Sequence, residues 1–194
     1  MWGSNEERES MGRKVDAMTI RFGAPSIFWT LTPNPDNSIV CTYWTGQPLP
    51  NGRPNKLSQC STHHLPCPSQ LVRIAMANTV VQAEYYKVCC HLLIDVLFGW
   101  DSTANKPKSQ RGIFGFVESL VYAVEQQGRL FIHHHGVAWI AGLPKTQSDW
   151  DSLRASEELK IRYERYCASI FLPSCLLTAY FYKYRALSLH VLVG

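Results

Sequence analysis

The chain contains no apolar run of the roughly 18–20 residues that a membrane-spanning helix needs. No Gly-x-x-x-x-Gly-Lys-Ser/Thr loop occurs in its 194 residues, which excludes a P-loop helicase or ATPase from this stretch. It also lacks internal repeats and low-complexity tracts. Charge is sparse at 18%, and 19 Lys+Arg against 15 Asp+Glu leave a net charge of +4. That balance permits nucleic acid as a partner without demanding it. The seven cysteines are odd in number and include the adjacent pair Cys89-Cys90. This usage fits reduced thiols packed as small hydrophobes in the cytosol or nucleus. The first ten residues are polar and acidic and carry no secretory signal, so a nuclear or cytoplasmic, non-secreted protein is expected.

What is present is ordinary globular composition, 46% hydrophobic, in a length that suits one domain with its own core. Residues 1–16 read as a polar arm, frayed or partly helical, and residues 171–194 as an apolar tail that fits either helix or strand. Between them, Ser26–Thr32 is rich in aromatic and β-branched residues and bracketed by prolines, which predicts a strand. Its Ile27, Trp29 and Leu31 share one face, and Phe28, Thr30 and Thr32 the other. A second short strand is expected at Ser38–Trp44, and a proline-rich loop from Gly46 to Pro68. Residues 78–99 repeat apolar side chains at helical spacing. Thr79 with Gln82, or Asn78, can cap this helix, and Gly99 can close it in the left-handed conformation. Ser148–Ile170 predicts a charged helix.

Residues 113–141 read as a β-hairpin whose second strand carries His133, His134 and His135. Alternation puts His133 and His135 on one face and His134 on the other. Two imidazoles on one strand face can share a divalent cation, but a metal site needs a third ligand. The plain alternative is a pair of packed, hydrogen-bonded strand histidines. With a two-residue turn at Gln127-Gly128, Tyr122 faces His133 and Leu120 faces His135. Glu118 then lies on the histidine face and Glu125 on the opposite one, unless a bulge brings Glu125 round. The third ligand stays open between Glu118 and Glu125.

The run Gly112-Ile-Phe-Gly-Phe-Val-Glu-Ser-Leu-Val-Tyr-Ala-Val-Glu-Gln-Gln-Gly-Arg-Leu-Phe-Ile-His-His-His-Gly-Val-Ala-Trp139 resembles the Helitron helicase-like domain. Phe22-Gly-Ala-Pro-Ser-Ile-Phe-Trp-Thr-Leu-Thr-Pro-Asn34 is similar to that family's first motif. Ala77–Lys87 and Leu97-Phe-Gly-Trp-Asp101 resemble its long helix and the exit from it. The resemblance covers residues 17–170. It implies an α/β (α+β) fold of ferredoxin-like type, with a central antiparallel sheet and flanking helices. It also implies an HUH nuclease of rolling-circle transposons. Such a protein binds single-stranded DNA, holds Mg²⁺ or Mn²⁺ through His133 and His135, and attacks the phosphodiester with a tyrosine. The matching tyrosines are Tyr180 and Tyr184, in Tyr180-Phe-Tyr-Lys-Tyr184. The chain departs from the family by placing His134 where an apolar residue is usual and by bringing these tyrosines close behind the histidines. The helicase normally fused to the family is missing, as in a truncated copy.

Two other readings compete: a catalytically inactive transposon remnant that keeps the fold or DNA binding, and a zinc-stabilised interaction module. The second rests on Cys60-Ser-Thr-His-His-Leu-Pro-Cys67, whose crowded spacing makes zinc an unfavoured cofactor there. Lys106, Lys108 and Arg111 form a basic loop that can track a DNA backbone or simply be solvated.

Overall fold

The alternation in Ile27–Pro33 folds as the strand it predicts, β1. Ile27, Trp29 and Leu31 are almost fully buried, while Phe28, Thr30 and Thr32 keep contact with solvent. These positions come from a computed structural model that describes residues 5–34, 38–46, 68–126, 132–184 and 187–193, with the backbone alone from residue 171 on. The cysteine- and histidine-containing segment 60–67 lies outside the described residues.

Before β1, the polar arm is an 18-residue helix, α1 (Asn5–Phe22). Its half-buried Met11, Val15, Met18 and Phe22 recur at three- and four-residue steps and make one apolar stripe. That stripe lies along the sheet, and the indole of Trp139 donates to the Gly23 carbonyl at 2.8 Å just beyond the helix. The strand expected at Ser38–Trp44 is instead a short helix, α2 (Ile39–Trp44). Ser38 caps it by accepting from the Cys41 backbone at 3.3 Å. The neighbours Cys41 and Thr42 are both buried, and the helix packs against the two helices that follow.

After α3 (Pro68–Met76), α4 (Thr79–His91) continues into a π-helical turn at Leu92–Leu97. Gly99 follows at φ +67°, the left-handed conformation foreseen for it. The predicted capping box does not form. The Asn78 amide donates back to the Ile74 carbonyl and the Gln82 amide to the Ala75 carbonyl, both on α3. The widened turn carries Asp95, whose carboxylate is buried. It accepts from the Ser102 hydroxyl (2.8 Å) and backbone (3.3 Å), and pairs with His91 (3.2 Å) and Lys108 (3.4 Å). Burial pushes its carboxyl up, but the Ser102 bonds, Lys108 and His91 outweigh that and hold it below the usual range. The network fixes the loop between two short strands, β2 (Trp100–Asp101) and β3 (Lys106–Pro107).

The hairpin is β4 (Val117–Gln126) and β5 (Ile132–Ile140). The charged helix expected after it is two helices, α5 (Gln147–Ala155) and α6 (Glu157–Tyr184), broken at Ser156, whose backbone is extended. Thr146 and Asp149 form a reciprocal capping box at the start of α5. The apolar tail divides between the end of α6 and a strand, β6 (Leu187–Val193). The fold is therefore α+β, with a four-stranded antiparallel sheet ordered β4-β5-β1-β6 beside the two-stranded β2-β3 pair. No described helix is long and apolar enough to cross a membrane.

The core lies on one face of this sheet. Trp29 meets Phe98 at 4.7 Å between ring centroids, Phe98 stacks on Phe114 at 4.4 Å, and Ile170 of α6 closes the cluster. Gly136 stands opposite Trp29, and the indole lies where a Cβ on Gly136 would be.

Two outcomes follow from this packing. Gly136→Val forces the indole out of place and costs about 1–3 kcal/mol. A melting curve reads that as a loss of about 2–4 °C for each kcal/mol. Asp95→Asn removes charge-assisted bonds worth about 1.5–3 kcal/mol. Because the folded-state pKa of Asp95 is depressed, its stabilisation is full above the ordinary carboxylate pKa of about 4 and is lost as pH falls through the folded value. The melting-temperature gap between wild type and Asp95→Asn is therefore wide at pH 7 and closes in acid.

Candidate metal centre

The pairing between β1 and β5 sets Thr30 opposite His135 and Leu31 opposite His134. His134 thus joins Trp29 and Leu31 on the core face, fully buried, while His133 and His135 project from the other face with Thr30 and Phe28. On the core side, the phenol of Tyr86 on α4 bonds His134 Nδ1 at 3.0 Å. Among the described residues His134 Nε2 has no hydrogen-bond partner. Burial first, then the neighbouring His135 and His133, hold the His134 imidazole down to about 4, so the ring is neutral at pH 7. The same burial pushes the Tyr86 phenol up. This middle histidine is a packed core residue.

On the outer face, His135 Nδ1 and the Thr30 hydroxyl lie 2.7 Å apart, and the His135 ring stacks against Phe28. His133 is almost buried and meets His135 edge-on, with ring centroids 4.9 Å apart.

The acidic residue beside them is Glu125, not Glu118. The expected turn set Tyr122 against His133. The observed register sets Glu125 against His133 and Ala123 against His135, three residues further along β4. Five residues separate the last pair, Gln126 and Ile132, so the connection is longer than two residues and the parity of the facing positions changes. The only irregularity between β4 and β5 falls at residue 118, between Val117 and Ser119, at the other end of the hairpin. There Glu118 forms an ion pair with Lys145.

Glu125, His133 and His135 each offer one ligand atom, and the three atoms lie within 4.8 Å of one another. One Glu125 oxygen is 3.6 Å from His133 Nε2, and the other is 3.8 Å from the Arg8 guanidinium of α1. Thr30 engages Nδ1 of His135, which leaves Nε2 as that ring's open donor. Two imidazoles and a carboxylate that converge in this way suit a divalent ion with mixed nitrogen and oxygen ligands. Thr30 escapes motif reading because its role depends on a strand pairing 105 residues away in sequence.

The remaining predicted residues are dispersed. Lys106 sits in β3, and Lys108 donates to the Asp95 carbonyl at 2.7 Å, so it serves the loop network. Arg111 is exposed and borders a cleft of about 720 Å³ at the far end of the hairpin. Tyr163 and Tyr166 line that same cleft, and the Tyr166 hydroxyl donates to the Phe114 carbonyl at 2.9 Å. The backbone of Tyr180 and Tyr184 belongs to the last turns of α6, one helical turn apart, while their side chains lie outside what the structure describes.

Tyr86→Phe removes the one hydrogen bond seen for a fully buried imidazole, and it should cost about 1–3 kcal/mol. Urea denaturation measures this as a lower midpoint with an unchanged slope.

Residues 1–138 match the family profile described as "Helitron helicase-like domain at N-terminus". Comparison with curated proteins and with solved structures gives no significant match.

Proposed function

The chain belongs to the family of Helitron helicase-like domains, and from that premise we propose that it is an HUH nuclease acting on single-stranded DNA. The observation that carries the proposal is the convergence of Glu125, His133 and His135 on one face of the hairpin. The strand order, with β1 and β5 central and every pair antiparallel, supports a ferredoxin-like sheet as its scaffold.

In this reading Glu125, His133 and His135 hold Mg²⁺ or Mn²⁺. The bound ion supplies electrophilic activation of the scissile phosphate and neutralises charge that builds on it. Thr30 fixes the His135 ring through Nδ1. Burial of His133 and the packing of Phe28 against His135 limit how far either ring can turn. Arg8 orients Glu125 through its second oxygen.

Tyr180 and Tyr184 are the nucleophile candidates, and the chain path favours Tyr184. Leu187 of β6 pairs with Pro33, at the end of β1 that lies beside the start of β5. Tyr184, three residues earlier, therefore arrives at the histidine end of the sheet. Attack by its phenolate would form a phosphotyrosine ester and release the 3′ hydroxyl of the cut strand.

Incubation with a single-stranded oligonucleotide and Mn²⁺ tests the reading. A covalent protein–DNA adduct is expected on a denaturing gel. It should vanish with chelator, and fall at least a hundred-fold in Glu125→Ala, His133→Ala or His135→Ala. Tyr184→Phe or Tyr180→Phe identifies the nucleophile. Metal binding with no adduct from any oligonucleotide would instead establish a catalytically inactive remnant.

A further inference from the structure

The cleft at the opposite end of the hairpin has no part in the proposed chemistry. It is formed where β5 runs out at Ile140, where the segment 141–145 turns away, and where α6 passes alongside. Ile140 lies seven steps along β5 from His133, about 23 Å at ~3.3 Å per residue. Its volume of about 720 Å³ falls within the ~300–1,000 Å³ of sites that enclose small ligands or pieces of larger ones.

The lining combines two kinds of side chain. Leu159, Arg162, Tyr163 and Tyr166 come from one face of α6, at steps of three and four residues. Arg111 and Phe116 come from the strand entry across from them. Phe116 and Leu159 are left exposed, 37% and 38%, although both are large and apolar. Neither Arg111 nor Arg162 has an acidic partner among the described residues, whereas the nearby Arg154 and Lys160 pair with Asp151 and Glu157. Of the other charged groups in the lining, Lys145 is paired with Glu118, and the Asp149 carboxylate accepts from the Lys145 and Thr146 backbone. Two guanidinium groups without an acidic partner among the described residues therefore flank exposed aromatic surface, with the Asp149 carboxylate held by backbone amides in the same lining.

We propose that this cleft is a second binding site for single-stranded DNA, in which Arg111 and Arg162 hold phosphates and a base stacks on Phe116. Arginine pairs with phosphate through its planar fork, and every base offers a flat face to an aromatic ring. Acidic side chains alone would satisfy the arginines but leave the aromatic surface unused, whereas each nucleotide carries both a phosphate and a flat base. The inference rests on single-stranded DNA being the substrate.

Fluorescence anisotropy of a labelled mixed-sequence oligonucleotide with the full chain, in chelator so that the histidine end carries no metal, tests it. Arg111→Ala with Arg162→Ala should weaken binding at least ten-fold and flatten the plot of log affinity against log salt by about 1.4, or ~0.7 per lost single-strand phosphate contact. Phe116→Ala should weaken binding about ten-fold. Arg154→Ala should match wild type, and melting curves check that all variants fold. Wild-type binding that survives the double arginine change would overturn the cleft site and leave the nuclease reading standing. Competition by polyglutamate at the same charge concentration as by unlabelled oligonucleotide would assign the cleft to acidic peptide instead. Absence of oligonucleotide binding by wild type would remove the single-stranded DNA substrate itself, and the cleft proposal with it.

Discussion

Trp29 lies across Gly136, and the arrangement of the sheet depends on that contact. The indole is fully buried and occupies the space a Cβ at position 136 would need. Within His133–Val137 only Gly136 lacks a Cβ, so β1 can seat its tryptophan at one register alone. That register then assigns the neighbours. Thr30 must face His135, and Leu31 must face His134. Because faces alternate, one steric requirement sends His134 into the core and its two flanking histidines to the other side. The glycine that follows the triple histidine is thus as informative as the histidines themselves.

Much of this was legible in the residues. The alternation of Ile27–Thr32 gave β1 and its buried face, and the split of His133 and His135 from His134 needed only the period of a strand. Gly99 was foreseen as a left-handed terminus and has that conformation. What escaped was set by contacts distant in sequence. A short turn leaves the third ligand open between Glu118 and Glu125, because the hairpin register depends on the length of its connection, and Gln126-Gln-Gly-Arg129 resembles a shorter turn than the pairing allows. Ser38–Trp44 has strand-like composition, yet Ser38 offers a helix cap and the segment buries adjacent residues, so tertiary context overrides propensity. The capping box at Thr79 and Gln82 loses to bonds with α3, a helix the proline-rich surroundings did not reveal.

The two ends of the hairpin differ in chemistry. At one end a carboxylate and two imidazoles converge beneath α1, and the backbone of α6 returns there to enter β6. At the other, two arginines without an acidic partner among the described residues border aromatic surface. Asp95 serves neither end directly. Its buried network instead anchors the loop that leads to Arg111, which explains why the π-helical turn persists in an otherwise regular helix: it aims Asp95 at Ser102 and Lys108. Lys108, which looked like part of a DNA-tracking loop, is part of that anchor.

The pairing of Glu125 with His133 has a consequence for how such a gene can change. Substitutions at single positions alter one side chain at a time, and much of a hairpin tolerates them. A codon gained between His135 and Gly136 acts on all three histidines at once, since Gly136 stays beneath Trp29 and the faces before it exchange. It would carry His134 outward, drive His133 and His135 toward Trp29, and part both from Glu125. A single insertion there therefore separates the three ligands and crowds the core in the same event.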